Sequence, residues 1–141
     1  MNGSRFFDTN VLYYSCDKTD AAKQETALKL LGESTVQEDG HISTQVLGEF
    51  FNVTVKKKLL TAEEAVRAVR GFVKSLTVAP VETPLVEKAM AIHLRYQISY
   101  YDSLIIAAAA RQGCTEIMSE DLSDGQVYEG VRVRNPFRTT P

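Results

Sequence analysis

The chain has no tryptophan, and only two cysteines and two histidines occur among its 141 residues. Cys16 and Cys114 stand far apart with no CxxC spacing, which excludes a disulfide framework and a thiolate zinc centre. His41 and His93 have no partner at ligand spacing and read as structural. Charge of one sign is lacking as well. Sixteen Lys and Arg against 18 Asp and Glu leave a net charge of −2, with a pI near 5.7. No global positive field therefore draws the protein to nucleic acid or membrane, and contact with a polyanion must come from local patches. Long apolar runs are missing too. None approaches the roughly 20 residues that span a bilayer, and none follows a basic opening segment as in a signal peptide; with two free thiols this predicts a reducing cytoplasm. Internal repeats and low-complexity tracts are absent. What is present is apolar material, 44% of residues, enough for one compact domain over residues 1–141 that buries roughly 68–70% of its unfolded surface, with Arg138-Thr139-Thr140-Pro141 as a loose end.

The apolar run Arg5-Phe6-Phe7 feeds into Asp8, Thr9 and Asn10 before Val11-Leu12 resume it. This pattern predicts a buried strand that delivers a carboxylate to a strand-to-loop junction, where open α/β sheets place their sites. Downstream, Ala27, Leu30 and Leu31 recur at helical spacing in a helix that begins at Ala21 and is stopped by Gly32. Glu38-Asp39-Gly40 marks a turn, His41-Ile42-Ser43 a second strand, and Thr44 the N-cap of a helix through about Lys57. Val46, Phe50 and Val53 form one face of that helix, and Glu49 lies beside the stripe. Thr61-Ala62-Glu63-Glu64 has capping-box form ahead of a helix whose apolar face is Val66, Val69 and Val73. Leu76 to Ala79 is a short strand. Thr83-Pro84 opens a helix, as a cap followed by proline at the first helical position, with Leu85, Ala89, Ile92 and Tyr96 on its buried side. Ser99-Tyr100-Tyr101-Asp102 opens another, whose body from Leu104 to Ala110 is apolar all round, as expected of a central helix. Glu116 to Ser119 and Val131 to Arg134 complete the strands. The alternation predicts an α/β fold, a three-layer α/β/α sandwich around a central, mainly parallel sheet of four or five strands.

The acids are placed by this reading. Asp8 ends the first strand, Glu49 follows the second, Asp102 lies in the first turn of the apolar helix, and Asp121 and Asp124 follow the penultimate strand. In a parallel sheet, strand ends and helix starts gather at one edge, so segments remote in sequence deliver carboxylates to one place. Crowded carboxylates raise one another's pKa unless a cation neutralises them, and an oxygen-only donor set favours Mg²⁺ or Mn²⁺ over Zn²⁺. Such an ion acidifies a bound water and stabilises charge building on a phosphoryl oxygen. Phosphodiester hydrolysis is the reaction class that follows. Each acid also has a structural reading: Asp8 caps the turn after its strand, Ser99-x-x-Asp102 matches a capping box, Asp124-Gly125 is a turn dipeptide, Glu120 is solvated, and Asp121 reads either way. A shared cation explains them together.

Phe7-Asp8-Thr9-Asn10-Val11-Leu12, Glu49 within Val46-Leu47-Gly48-Glu49-Phe50, Tyr101-Asp102-Ser103-Leu104-Ile105-Ile106, and Ser119-Glu120-Asp121-Leu122-Ser123-Asp124-Gly125 resemble the successive motifs of PIN domains, specifically VapC-like toxins of bacterial type II toxin–antitoxin systems. The resemblance extends over essentially the whole chain. It implies a Mg²⁺- or Mn²⁺-dependent endoribonuclease, usually a homodimer, held inactive by a cognate antitoxin that inserts near the site. It further implies Asp8 and Asp102 as direct metal ligands, Glu49 as the residue that holds a water or acts as base, and Asp121 as the acid that completes the shell or a second site. Asp124 is a nearby helper or a turn residue, while Thr9, Asn10 and Ser119 orient the first acid or contact water and substrate. Positive charge at the rim is expected from Lys56, Lys57, Lys58, Arg95, Arg111, Arg132 and Arg134, and Tyr13, Tyr14, Tyr100 and Tyr101 either stack bases or pack. Two rivals stand beside this. One is a catalytically silent PIN-like module that binds RNA or a partner. The other is a phosphotransferase with Asp8 as nucleophile, which would want a second Asp where Asn10 stands.

Overall fold

The structure, a computed structural model, describes residues 3–138. Strand β1 (Ser4–Phe7) is followed almost at once by helix α1 (Thr9–Ser15), with Asp8 as the N-cap between them. Helix α2 (Ala21–Gln37) is capped by Asp20 and runs well past Gly32, contrary to the expectation that this glycine stops it. A glycine inside a helix costs only about 1 kcal/mol, and the buried positions Ala27, Leu31 and Ser34 continue across it. Strand β2 (Gly40–Ser43) leads into α3 (Thr44–Lys56), whose N-cap is Ser43 rather than Thr44. The expected capping box at Thr61 and Glu64 is made in both directions and opens α4 (Ala62–Ser75). Its inward side differs from the expectation: Ala65 is buried with Ala68, Val69 and Phe72 against the core, while Val66 and Val73 are 37% and 51% exposed. The reason is Phe72, whose ring meets that of Phe50 edge-on at 5.1 Å and turns the helix by its larger apolar area.

Strand β3 (Thr77–Ala79) precedes α5 (Thr83–Tyr96), in which Thr83 is itself helical and Glu82 is the N-cap without a side-chain bond. Helix α6 (Tyr100–Arg111) is capped by Ser99, and its residues Ser103 to Ala109 are all buried, as befits the central helix. Strands β4 (Cys114–Met118), β5 (Val127–Tyr128) and β6 (Val131–Arg134) complete the sheet. It has six strands in the order β3-β2-β1-β4-β6-β5 rather than four or five, all parallel except the β5–β6 pair. The extra strand is two residues long and exists only through its hairpin. Glu129 and Gly130, at φ 50° and 80°, form the tight turn that right-twisted strands require.

The chain steps from β1 to β2 to β3 in one direction and then crosses to β4 on the other side of β1. Right-handed crossovers then place α1 to α4 on one face and α5 and α6 on the other, and the packing agrees: α1 meets α2 and α3, α3 meets α4, and α5 meets α6. Phe6, Phe7, Ile42, Ile117 and Val133 lie fully buried between the layers. The switch point therefore falls between β1 and β4, where an open α/β sheet leaves a crevice beyond its carboxyl ends. No helix among the described residues is long and apolar enough to cross a membrane. The expected loose end at Thr139, Thr140 and Pro141 lies outside the described residues.

Candidate active site

At the switch point β1 and β4 run in register, Phe7 beside Met118, so the next residues along, Asp8 and Ser119, leave the sheet together. Asp8 is 7% exposed. One of its oxygens accepts the Thr9 N–H at 2.7 Å and the other the Ser119 hydroxyl at 2.7 Å. It is thus both the cap of α1 and a carboxylate held in one orientation. The Ser119 oxygen in turn accepts the N–H groups of Asp121 at 3.1 Å and Leu122 at 3.3 Å, which shapes the loop after β4. Asn10 ties that loop to α1. Its amide donates to Asp121 Oδ2 at 3.2 Å and its carbonyl accepts the Glu120 N–H at 3.2 Å.

Helix α3 brings the next acid. The Thr9 hydroxyl donates to Glu49 Oε1 at 2.7 Å, and Gln45, one turn before Glu49, donates to its Oε2 at 3.3 Å. The same Gln45 amide reaches the Tyr101 carbonyl at 3.3 Å, so it joins α3 to the first turn of α6. Asp102 follows directly. Its N–H is held by the Ser99 hydroxyl at 3.1 Å, but the reciprocal bond of a capping box, from Ser99 N–H to the Asp102 carboxylate, is not made. That carboxylate is left for the cleft. Asp8, Glu49, Asp102 and Asp121 line one cleft of about 450 Å³, together with Glu120 and Lys57.

The electrostatics follow from crowding and burial. Loss of water pushes the Asp8 carboxyl up to about 6; the bonds from Ser119 and Thr9 pull it down, and the charges of Asp121 and Glu49 push it further up. A hard cation would remove that penalty, and carboxylate and amide oxygens are the donors such an ion takes. The donor chemistry therefore fits a divalent ion. Among the described residues, however, no three His, Cys, Asp or Glu side chains converge closely enough to form a ready-made metal cage.

Other expected residues lie elsewhere. Asp124 does not line the cleft: its carboxylate accepts the Asn135 N–H at 2.9 Å and pairs with Arg138 at 3.1 Å, which hold it below the ordinary carboxylate range. It stands in the turn it forms with Gly125. Glu120 is not free in solvent but is paired with Lys23 at 3.0 Å and hydrogen-bonded by the Tyr14 hydroxyl at 3.2 Å. Of the basic candidates, Arg95 pairs with Glu129 at 3.0 Å, Arg134 with Glu116, and Arg132 donates to the Gly125 carbonyl at 3.1 Å, whereas Lys57 stands at the cleft. Tyr13, Tyr14 and Tyr101 line it too, and Tyr100 does not. Gln45 was not anticipated, although its position four residues before Glu49 puts it on the same helical face.

A parallel α/β domain with an acidic cleft at its topological switch point is the class these features define. A profile of the PIN domain family matches residues 5–123, and the chain belongs to that family. No curated protein matches the chain. Among solved structures, it is similar to Mycobacterium tuberculosis VapC20, described as a sarcin–ricin loop cleaving toxin: 22% identity, 84% of this chain and 90% of that chain covered, TM-score 0.67. It is also similar to a chain of the DNA-bound VapBC complex of Salmonella typhimurium, at 20% identity over 96% of this chain and 99% of that one, TM-score 0.70. A third is FitAcB from Neisseria gonorrhoeae, at 17% identity, 96% and 99% covered, TM-score 0.64. At these identities the likeness establishes a shared fold.

Proposed function

We propose that this PIN domain protein is an endoribonuclease that hydrolyses RNA phosphodiester bonds, acts as the toxin of a type II toxin–antitoxin pair in the cytoplasm, and works as one domain over residues 1–141. The observation that carries this is the meeting of Asp8, Glu49, Asp102 and Asp121, from four separated segments, in a single cleft. Two of the similar structures, the sarcin–ricin loop cleaving toxin and a toxin–antitoxin complex from Klebsiella pneumoniae, support the substrate and the antitoxin partner. A homodimer is part of the same reading.

A Mg²⁺ or Mn²⁺ ion held by Asp8, Asp102 and Asp121 would supply Lewis-acid charge against the phosphate. The chain's own residues do the rest. Ser119 and Thr9 hold Asp8 in a single orientation, so its oxygens need no reorganisation during the reaction. Glu49, clamped by the Thr9 hydroxyl and the Gln45 amide, is the base that takes the proton of the attacking water. Asn10 keeps Asp121 facing the same cleft.

The test is cleavage of single-stranded RNA with Mn²⁺ or Mg²⁺, with EDTA, and by Asp102→Asn. Cleavage is expected to require the ion and to fall by roughly 100-fold or more in the variant, with an unchanged circular dichroism spectrum. Chelator-resistant cleavage, or full activity of the variant, overturns the assignment; RNA binding without cleavage identifies the silent module instead.

A further inference from the structure

We infer that single-stranded RNA lies along the axis of α3 in this cleft, with Lys57 gripping a backbone phosphate at one end and Tyr101 offering a face for a base at the other. The inference rests on the ribonuclease reading and adds to it the course of the strand and its two anchoring contacts.

Helix α3 and its C-cap carry Gln45, Glu49, Val53 and Lys57 at successive intervals of four, so they share one face, and all four line the cleft. At about 1.5 Å per residue, the stripe from Gln45 to Lys57 is about 18 Å long, with Glu49 about 6 Å from one end and about 12 Å from the other. Each end is marked by an aromatic residue. At the Gln45 end the amide holds the Tyr101 carbonyl at 3.3 Å. At the Lys57 end the ammonium sits 5.3 Å from the centroid of the Tyr13 ring.

Lys57 is the one basic side chain among the described residues that line the cleft, against five carboxylates. It makes no ion pair among the described residues, whereas Lys23 at the same rim is neutralised by Glu120 at 3.0 Å. A cation resting on an aromatic face keeps its charge for an incoming anion. Because its backbone lies about 12 Å along the helix from Glu49, that anion is a phosphate neighbouring the one being cut. Tyr101 is 64% exposed and directly precedes Asp102. Tyr14, by contrast, is occupied by Lys23 and Glu120, and Tyr100 packs against the core. An exposed ring beside the acids is what a sequence-tolerant base contact needs.

Binding of a labelled short single-stranded RNA to the non-cleaving Asp102→Asn protein, measured by fluorescence anisotropy over a range of salt with Mn²⁺ present, tests this. Lys57→Met is expected to weaken Kd roughly ten-fold at low salt and to reduce the slope of log Kd against log salt by about 0.7, one phosphate contact. Tyr101→Ala is expected to weaken binding roughly ten-fold with the slope unchanged, and Tyr101→Trp to keep it tight. In the otherwise unsubstituted enzyme, Lys57→Met raises KM more than it lowers kcat. Lys56→Met, on a side chain outside the cleft, leaves Kd and slope as they are. Equal binding by Lys57→Met, or equal losses from Lys56→Met and Lys57→Met, overturns the strand placement. RNA that binds as described but is never cut by the unsubstituted protein overturns the ribonuclease reading alone, and no RNA binding overturns both.

Discussion

Replacing Asp8 by Asn removes a charge that the fold tolerates at a cost. The carboxyl is raised from 3.8 to about 6, chiefly by burial, and that gap corresponds to about 3 kcal/mol at neutral pH. The pH dependence has a definite direction. Below 3.8 the folded and unfolded chains both hold the proton and there is no penalty; between 3.8 and about 6 only the folded chain holds it, so stability falls as pH rises; above about 6 the penalty is complete. Asn at position 8 cannot ionise and escapes this at every pH. Its carbonyl can keep the bond from the Thr9 N–H, but its amide must donate to a Ser119 oxygen that already accepts the Asp121 and Leu122 N–H groups. That loss costs about 1 kcal/mol. The variant should therefore match the unsubstituted protein near pH 4.5 and exceed it by about 2 kcal/mol near pH 7.5, about 4–8 °C in Tm. Urea and thermal unfolding in EDTA at several pH values measure this. A difference that stays flat with pH, or a variant less stable at neutral pH, would refute the account of Asp8. Adding Mn²⁺ at about 100 times its Kd should then raise the unsubstituted protein by about 2.7 kcal/mol and the variant by much less.

Thr9→Val keeps the side-chain shape but removes the hydroxyl that holds Glu49 at 2.7 Å; kcat for RNA cleavage should fall roughly ten- to 100-fold with KM and thermal stability little changed. Asp124→Ala removes the bonds to Asn135 and Arg138, outside the cleft. Its cleavage rate and metal requirement should equal those of the unsubstituted protein, with a small drop in Tm; a large loss of activity would place Asp124 in the site after all.

The course of the main chain was written in local pattern. Two consecutive phenylalanines before Asp8 announce a strand buried on both faces, and a helix apolar all round from Leu104 to Ala110 announces the centre of the molecule. The box at Thr61 and Glu64 marks a helix start because both of its bonds lie within four residues. Local pattern faltered where two choices scored alike. Val66-Val69-Val73 and Ala65-Val69-Phe72 are both helical stripes through the same valine, and contact between Phe72 and Phe50 selected the second. Strand β5 is too short to leave any periodicity at all.

The sequence by itself determined the order of the strands and helices other than the short α1 and β5, and the set of acids available, because hydrophobic spacing and capping are properties of neighbours along the chain. Only the tertiary structure decided which acids share a cleft. Asp121 and Asp124 are three residues apart and equal in chemistry, yet Asn10, 111 residues away from Asp121, turns that residue toward the cleft while Arg138 and Asn135 hold Asp124 outside it. Gln45 and Lys57 were placed in the same way, beside Tyr101 and Tyr13 on other helices. A polar group's partner is a matter of distance in space, and distance along the chain carries no record of it.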